Sequence, residues 1–231
     1  MNAIILAAGL GSRLKDLTKN KHKALFEIFD IPNIERTILF LKQKGVDEIF
    51  IVVGYLAQDF EYLKEKYNVK LIYNKYYKTY SNLYSFLLCK DYFGDSYVID
   101  ADVVIFENIF QLHSKSTYYT IVRSNRVKKE WCIVVDNEKV VGVDICSDER
   151  PSLLGISYFN KKDSDKIKQK LESVDENMLK NLNLYWDNIV VDMLSDIEMM
   201  YINIDKNIVS ELDDEEDLKE ILSRKEKLCK K

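Results

Sequence analysis

Two glycines and a set of basic residues follow the first apolar run of the chain. In the segment AIILAAGLGSRLKDLTKNKHKAL, Gly9 and Gly11 come directly after this run, and Arg13 and Lys23 come after the glycines. A glycine turn at the end of a buried strand lets backbone N–H groups approach phosphate oxygens, and fixed positive charges nearby bind the same anion. The segment therefore predicts a phosphate-binding turn.

Two familiar phosphate motifs do not fit this segment. The dinucleotide fingerprint G-x-G-x-x-G fails because Leu14 stands at the third glycine position. The P-loop pattern G-x-x-x-x-G-K-[ST] fails because no glycine and lysine follow at the required spacing. A G-x-G pair alone is equally typical of a plain tight turn. The segment also contains lysines that we expect to be solvated: Lys15, Lys19 and Lys21.

A pair of aspartates ends another apolar run, SYVIDAD, at Asp100 and Asp102. Because the carboxyl ends of parallel strands meet at one edge of a sheet, we expect Asp102 to face the glycine turn. Carboxylate oxygens are ligands that Mg²⁺ prefers, and phosphates commonly complete its coordination. A helix cap or a turn is the alternative role for Asp102.

Composition disfavours several classes of protein and several kinds of site. The 231 residues carry a net charge of −4, which gives no general nucleic-acid footprint, and no apolar stretch approaches the ~20 residues of a membrane span. We expect a cytoplasmic protein. The four cysteines contain no C-x-x-C pair, which disfavours zinc and disulfides, and two histidines offer little material for a histidine-based metal site or a catalytic triad.

Strand and helix patterns alternate through the first hundred residues. Apolar runs predict strands at 3–8, 48–53, 70–73 and 96–100, and helical spacing predicts helices at 34–44, 57–66 and 82–90. This rhythm indicates a parallel sheet with helices on both faces.

The rhythm changes after Asp102. Closely spaced strands are predicted at 117–123, 131–136, 140–145 and 153–159, which favours a mixed or antiparallel arrangement. Helices at 162–174 and 187–194, a strand at 199–204 and a charged helix at 213–228 complete the prediction. We see no linker, and we expect a single α/β domain over 1–231.

The opening segment resembles the N-terminal signature of nucleotidyltransferases that activate sugar 1-phosphates and related phosphomonoesters: G-x-G-[ST]-R, then P-L-T, then P-K. Seven residues match it: Gly9, Gly11, Ser12, Arg13, Leu17, Thr18 and Lys23. Asp16 and His22 stand where the signature has proline. Both prolines stiffen the loop, so their replacement bears on loop order more than on chemistry.

Further motifs narrow the resemblance to the bacterial choline-phosphate cytidylyltransferases. They are IVVGY at 51–55, SNLYS at 81–85, YVIDADVVI at 97–105, EW at 130–131 and LYWDN at 184–188, and together they span nearly the whole chain. The resemblance implies a Rossmann-like, mostly parallel mixed sheet flanked by helices, as in nucleotide-diphospho-sugar transferases. It also implies a nucleotide-binding half at about 1–105 and an acceptor-substrate half at about 106–231.

The activity implied by this resemblance is Mg²⁺-dependent transfer of CMP from CTP to phosphocholine, giving CDP-choline and pyrophosphate. Alternative acceptors are phosphoethanolamine, 2-aminoethylphosphonate and a sugar 1-phosphate. An inactive, nucleotide-binding regulatory protein is the alternative outside the enzymes.

The resemblance also implies roles for individual residues. Lys23 and Arg13 would be catalytic, and Mg²⁺ ligands would be Asp102, Glu211 and Asp213. The nucleotide would contact Leu6, Ala7, Ala8, Gly9, Gly11, Ser12, Arg13, Gly54, Tyr55, Asn82 and Asp100. The acceptor would contact Trp131, Tyr185, Trp186 and Asp187.

Each of these roles has a structural alternative. Asp213 fits the N-cap of the last helix with Glu216 at the capping-box position. Either tryptophan could lie in the core, because large aromatic side chains bury well. A quaternary ammonium nevertheless favours aromatic faces, since it cannot donate hydrogen bonds.

Overall fold

Strands and helices alternate through the first half of the chain in the computed structural model, which describes residues 1–123 and 129–228. Cys229 lies outside the described residues. The elements of this half are β1 (Asn2–Ala7), β2 (Glu27–Ile28), β3 (Ile31–Pro32), α1 (Asn33–Gln43), β4 (Glu48–Val53), α2 (Tyr62–Tyr67), β5 (Lys70–Tyr73), α3 (Asn82–Leu87), β6 (Ser96–Asp100) and β7 (Val103–Ile105).

The second half begins with strands and returns to helices. Its elements are β8 (Ser116–Val122), β9 (Glu130–Asp136), β10 (Lys139–Cys146), β11 (Pro151–Phe159), α4 (Lys161–Leu171), α5 (Glu176–Lys180), α6 (Trp186–Val191), β12 (Met199–Asn203), β13 (Val209–Glu211) and α7 (Glu215–Leu228). In the described ranges, no helix is both long and apolar enough to cross a bilayer.

Nine of the described strands form one mixed sheet in the order β10-β9-β11-β6-β1-β4-β5, to which β8 and β12 attach through β11. The strands β6, β1, β4 and β5 run parallel, whereas β11 pairs antiparallel with β6, β8 and β9. The sheet therefore passes without a break from the first half into the second. Its mostly parallel first half and mixed second half confirm the predicted α/β fold class.

The central strand β1 packs against a hydrophobic core on each of its faces. Its alternate residues point to opposite faces, so Ala3, Ile5 and Ala7 join one core while Ile4 and Leu6 join the other. Helix α1 covers the first face, and helices α3, α4 and α6 cover the second. Burial on both faces explains why β1 reads as a continuous apolar run.

The carboxyl ends of the parallel strands align at one edge of the sheet. In the observed register Ala7 lies beside Val53, and Leu6 lies beside Asp100. The glycine turn after β1 and the aspartates after β6 consequently open on the same edge, as expected from their positions in the sequence.

Several element boundaries differ from the prediction. The helix predicted at 57–66 is divided into a 3-10 turn at Ala57–Phe60, preceded by Leu56 in a left-handed conformation, and the short helix α2. The regular part of α3 ends at Leu87. Strands β2, β3, β7 and β13 and helix α5 were not predicted, because strands of two or three residues and a helix of little more than one turn carry too little periodic signal.

Candidate active site

The glycine turn opens directly beyond the end of β1. Gly11 adopts a left-handed conformation (φ 62°), which residues with a side chain rarely adopt. The Thr18 hydroxyl donates a hydrogen bond to the Gly11 carbonyl at 3.2 Å and closes a 3-10 turn over Ser12–Thr18. Arg13 lies on this turn with 66% of its side chain exposed. The lysines Lys15, Lys19 and Lys21 are exposed, as predicted.

His22 ties the far end of the loop to the glycine turn. Its Nδ1 accepts a hydrogen bond from the Ala24 N–H at 3.1 Å, so the ring proton lies on Nε2, which donates to the Gly9 carbonyl at 3.0 Å. Burial lowers the pKa of His22 to about 4. The residue that stands where the signature has proline therefore orders the loop as a neutral imidazole.

Gly54 and Tyr55 support the glycine turn from behind. The Tyr55 N–H donates to the Ala8 carbonyl at 3.1 Å, and the Tyr55 hydroxyl donates to the Thr18 carbonyl at 2.8 Å. A Cβ at Gly54 would lie 2.7 Å from the Tyr77 Cβ and 2.9 Å from the Ala8 carbonyl oxygen, so this close approach requires glycine.

Lys23 forms the central ion pair of the site. Its ammonium donates to Asp102 Oδ2 at 2.8 Å and lies 3.9 Å from Asp213 Oδ1. Burial favours a neutral lysine, but the negative charge of Asp102 outweighs it and raises the pKa of Lys23. Burial likewise opposes ionisation of Asp102, yet Lys23 holds the pKa of Asp102 below its ordinary value. Both groups are therefore charged.

Arg13 joins the opening loop to the C-terminal part of the chain. Its two terminal nitrogens donate to Asp213 at 2.9 and 2.7 Å, in a bidentate pair. Burial and the nearby charge of Asp102 raise the pKa of Asp213. The suggested N-cap role for Asp213 is wrong, because Asp214 Oδ1 accepts the Glu216 and Asp217 N–H groups of α7. The side chain of Asp213 is thus available to the site.

Trp186 lies in the hydrophobic core and is not among the described residues that line the cavities, which differs from the expectation that it contacts the acceptor. Its side chain is 0% exposed and packs against Phe86 and Phe159, because α6 turns its first residue toward the sheet. The indole N–H donates to Asp100 Oδ1 at 3.2 Å. Burial and the neighbouring carboxylates raise the pKa of Asp100 well above its ordinary value. The backbone N–H of Trp186 donates a hydrogen bond to Asn82 Oδ1 at 3.0 Å.

Trp131 and Tyr185 form the aromatic wall of the site. Their rings meet edge to face with centroids 6.1 Å apart, and 47% of Tyr185 is exposed. Asp187 follows in the first turn of α6 and lines the same cavity. Burial raises the pKa of Asp187 to about 8. Aromatic faces beside a carboxylate are suited to a positively charged ligand group.

Arg123 and Glu130 belong to the site but were not predicted. The Arg123 guanidinium donates to Glu211 Oε2 and lies 3.8 Å from Glu130 Oε2. Burial and the charge of Asp102 raise the pKa of Glu211 despite the charge of Arg123. Arg123 follows β8 without any motif around it, so no sequence signal marks it, whereas Glu130 precedes Trp131 in the EW pair.

The predicted metal ligands lie at the meeting point of these ion pairs. Within residues 1–123 and 129–228, no group of three or more acidic, histidine or cysteine side chains has the arrangement of a metal site. Asp102 and Asp213 nevertheless approach the same Lys23 ammonium. These oxygens therefore already approach a cation. Burial, together with the charge of Asp102, raises the pKa of Asp213 and of Glu211, and a bound divalent cation would favour their ionised forms.

Two cavities meet at this point. The first, which we name the loop cavity, has a volume of about 400 Å³ and is lined by the end of β1, the glycine turn, Lys23 and Asn82. The second, the strand cavity, has a volume of about 230 Å³ and is lined by residues that include Trp131, Glu130 and Asp187. Their shared walls are Arg13, Asp100, Asp102, Tyr185 and Asp213.

The loop cavity contains most of the residues predicted to bind the nucleotide. Its lining includes Leu6, Ala7, Ala8, Gly9, Gly11, Ser12, Arg13, Asn82 and Asp100. Gly54 and Tyr55 are not among the described residues that line it. Their observed contacts place them one layer further out, where they hold the loop.

Comparison with known proteins relates these features to characterised families. Residues 3–99 match the MobA-like NTP transferase domain. A choline-phosphate cytidylyltransferase of Haemophilus influenzae is 45% identical over 97% of both chains. A choline-phosphate cytidylyltransferase of Streptococcus pneumoniae is 38% identical over 96% of both chains. A 2-aminoethylphosphonate cytidylyltransferase of Lancefieldella rimae is 30% identical over 92% of this chain and 88% of its own length.

The fold agrees with these sequence comparisons. A solved structure of the CTP:phosphocholine cytidylyltransferase from Streptococcus pneumoniae superposes with a TM-score of 0.91 at 38% identity, covering 96% of this chain and 98% of that one. The similarity therefore extends over nearly the whole chain.

Proposed function

Because this chain belongs to the choline-phosphate cytidylyltransferase family, we propose that it transfers CMP from CTP to phosphocholine and releases pyrophosphate. The observation that carries the proposal is the meeting of two unlike cavities. A loop cavity containing Lys23 and Arg13 shares walls with a strand cavity containing Trp131, Tyr185 and Asp187. One suits a polyphosphate and the other suits an ammonium group.

The reaction needs no nucleophile from the protein. A phosphate oxygen of the acceptor forms a bond with the α-phosphorus of CTP, and the bond between that phosphorus and the bridging oxygen to the β-phosphate breaks. Lys23, which lines the loop cavity and donates to Asp102 of the shared wall, would stabilise the charge that develops on the α-phosphate. Arg13 would leave Asp213 and bind the β- and γ-phosphates.

The carboxylates of the shared wall would hold Mg²⁺. Asp102 and Asp213 converge on one point, and Glu211 lines the strand cavity beside them. When bound, the metal would neutralise phosphate charge and align the reacting oxygens. Lys23 and Arg13, which are paired with Asp102 and Asp213 in this structure, would then bind the triphosphate instead.

The acceptor's ammonium group would bind in the strand cavity. Trp131 and Tyr185 offer ring faces and edges there, and Asp187 supplies a negative charge once it ionises. In the described part of the chain, no basic side chain forms an ion pair with Asp187, unlike Asp102, Asp213 and Glu211. This carboxylate is therefore the natural counter-ion of the substrate cation.

The cytosine base would lie in the loop cavity against the backbone at the end of β1. Residues Leu6 to Gly9 line this cavity together with Gly11, Ser12 and Asn82. Fixed backbone donors and acceptors can read the edge of a base without any charged side chain. Gly54 and Tyr55 would act by keeping this backbone in place.

A second acceptor is 2-aminoethylphosphonate, since a relative acting on it covers nearly the full chain. Its primary ammonium would need hydrogen-bond acceptors, which Asp187 and Glu130 provide in the strand cavity. An aromatic wall favours the quaternary ammonium of choline instead. Retention of Lys23 and Asp102 as a charged pair argues against an inactive binding protein.

The proposal is tested by measuring pyrophosphate release over a grid of substrates. The four NTPs are each combined with phosphocholine, phosphoethanolamine, 2-aminoethylphosphonate and glucose 1-phosphate, with and without Mg²⁺. We expect the largest kcat/KM with CTP and phosphocholine in Mg²⁺. A signal with glucose 1-phosphate alone would contradict the choline assignment, and no turnover in any combination would favour the binding protein.

A further inference from the structure

Arg123 holds together three strands behind the strand cavity. Its guanidinium donates to Glu211 on β13 and to Ser152 Oγ on β11 at 2.6 Å, and it lies 3.8 Å from Glu130 Oε2 on β9. It also contacts the Leu153 carbonyl at 3.4 Å. Only 16% of its side chain is exposed. The guanidinium of Arg123 thus holds together side chains that are far apart in the sequence.

The two carboxylates bound by Arg123 serve different parts of the site. Glu211 lies beside Asp213 on the side of the proposed metal, while Glu130 immediately precedes Trp131 of the aromatic wall. Both carboxylates line the strand cavity, whereas Arg123 is not among the described residues that line it. Any effect of Arg123 on substrate must therefore pass through these neighbours.

We propose that Arg123 is a positioning residue for the acceptor, which sets the separation between the Glu211 side and the Glu130–Trp131 side of the strand cavity. This inference rests on the proposed function. The guanidinium neutralises two carboxylates that would otherwise repel each other and the acceptor phosphate. It also holds β9, and with it Trp131, at a fixed distance from the reacting centre.

Neither lysine nor glutamine can replace this arrangement. A guanidinium presents five donors in a rigid plane, which matches two carboxylates, a hydroxyl and a carbonyl at once. Lysine keeps the charge but has a single nitrogen, so it can satisfy only part of the set. Glutamine removes the charge and leaves two carboxylates without their shared cation.

The test compares Arg123→Gln and Arg123→Lys with the wild type and with Arg150→Gln as a matched control. Arg150 also pairs with two carboxylates, Asp144 at 3.1 Å and Asp148 at 3.7 Å, but these lie on and after β10, outside both cavities. Phosphocholine binding is followed by tryptophan fluorescence, because Trp131 is partly exposed and Trp186 is buried. A Trp131→Phe variant identifies the source of the signal.

We expect Arg123→Gln to raise the Kd and KM for phosphocholine by about 10- to 100-fold, the usual effect of removing a residue that orients a ligand-binding group. The Kd for CTP, measured by calorimetry without acceptor, should stay within about twofold. Arg123→Lys should fall between wild type and Arg123→Gln, and Arg150→Gln should match the wild type.

Unchanged phosphocholine affinity in Arg123→Gln would overturn the inference, as would an equal loss of CTP and phosphocholine binding. Where Arg123→Gln does not fold, Glu130→Gln replaces it, because this variant removes one partner and keeps the Arg123–Glu211 pair. A higher Kd for phosphocholine with an unchanged Kd for CTP would again support the inference, and a wild-type Kd for phosphocholine would overturn it. Wild-type protein that fails to bind phosphocholine would instead refute the proposed function itself.

Discussion

The two ends of the site differ in how their charges are balanced. At the phosphate end, Lys23 and Arg13 are paired with Asp102 and Asp213 inside the protein. At the ammonium end, which comprises Trp131, Tyr185 and Asp187, the aspartate has no paired cation in the described part of the chain. The protein thus pairs opposite charges at one end, and at the other end it leaves one buried carboxyl group without a paired cation among the described residues.

This difference indicates two modes of substrate recognition. Binding at the phosphate end would require an exchange of partners, in which the carboxylates would bind the metal and the cations would bind the phosphates. Binding at the ammonium end would require no such exchange, but Asp187 would have to lose its proton, since burial raises its pKa to about 8. Each mode can be disturbed separately by substitution or by pH.

The largest effect should follow from Lys23→Ala. Removing the only ammonium that contacts both Asp102 and Asp213 among the described residues should lower kcat by about 100- to 1000-fold, as for other groups that stabilise charge in a transition state. Steady-state pyrophosphate release measures this effect. Lys21→Ala is the control, because Lys21 is exposed and pairs with Glu27 on the surface. Near-normal turnover in Lys23→Ala would remove the central catalytic assignment.

A smaller effect, confined to the ammonium end, should follow from Trp131→Ala. Loss of a partly desolvated cation–π contact costs about 1–2 kcal/mol, so the KM for phosphocholine should rise by about 5- to 30-fold. The KM for CTP should not change. Because the aromatic wall favours a quaternary ammonium, 2-aminoethylphosphonate should be affected less. An equal loss for both acceptors would show that Trp131 acts through packing alone.

The pH dependence of acceptor binding should distinguish the two ends further. An aspartate with a pKa of about 8 is mostly protonated at pH 7, so the KM for phosphocholine should fall by about tenfold between pH 7 and pH 9. Asp187→Asn should have a higher KM and a flat profile. A wild-type profile that is flat over this range would contradict the proposed role of Asp187.

The proton on Asp187 also makes the stability of the folded protein depend on pH. The folded protein binds it between the ordinary aspartate pKa and about 8, whereas the unfolded chain does not. The free energy of unfolding should therefore decrease as pH rises through this window. Chemical denaturation at several pH values measures the decrease, and Asp187→Asn should reduce it.

The smallest effect should follow from His22→Pro. The backbone of His22 has φ −65° and ψ 139°, and proline prefers this φ, so the signature's proline fits without rearrangement. The KM for CTP should stay within about twofold, because the rigid ring offsets the lost hydrogen bonds to Gly9 and Ala24. His22→Ala has neither the proline ring nor the imidazole hydrogen bonds, so it should raise the KM for CTP more than His22→Pro does. If His22→Pro bound CTP less well than His22→Ala, the imidazole itself would be required.

Long periodic elements of the fold were predictable, and short ones were not. The strands β1, β4 and β6 and the helix α1 have apolar patterns over five residues or more, and the structure places each within one or two residues of its prediction. Strands β7 and β13 have three residues each and owe their existence to pairing with each other. Such pairing depends on contacts between segments that are distant in the sequence, and the local pattern of apolar residues does not indicate them.

Part of the site followed from sequence, and part did not. Motif and strand position placed Gly11, Lys23 and Asp102 correctly at one sheet edge. Burial of Trp186 and the bridging position of Arg123 had no local signal, because both depend on which elements pack together. The final helix likewise began two residues later than predicted, since Asp214 competes successfully with Asp213 for the cap.

The sequence by itself determined the α/β alternation, the glycine turn after β1 and the aspartates at the end of β6. These features depend on local periodicity and on the rule that parallel strands end at one edge. Only the tertiary structure decided which charges pair, which tryptophan reaches the cavity and which aspartate retains a proton. Those outcomes depend on distances and burial between segments as far apart as Arg13 and Asp213, and such distances exist only after the chain has folded.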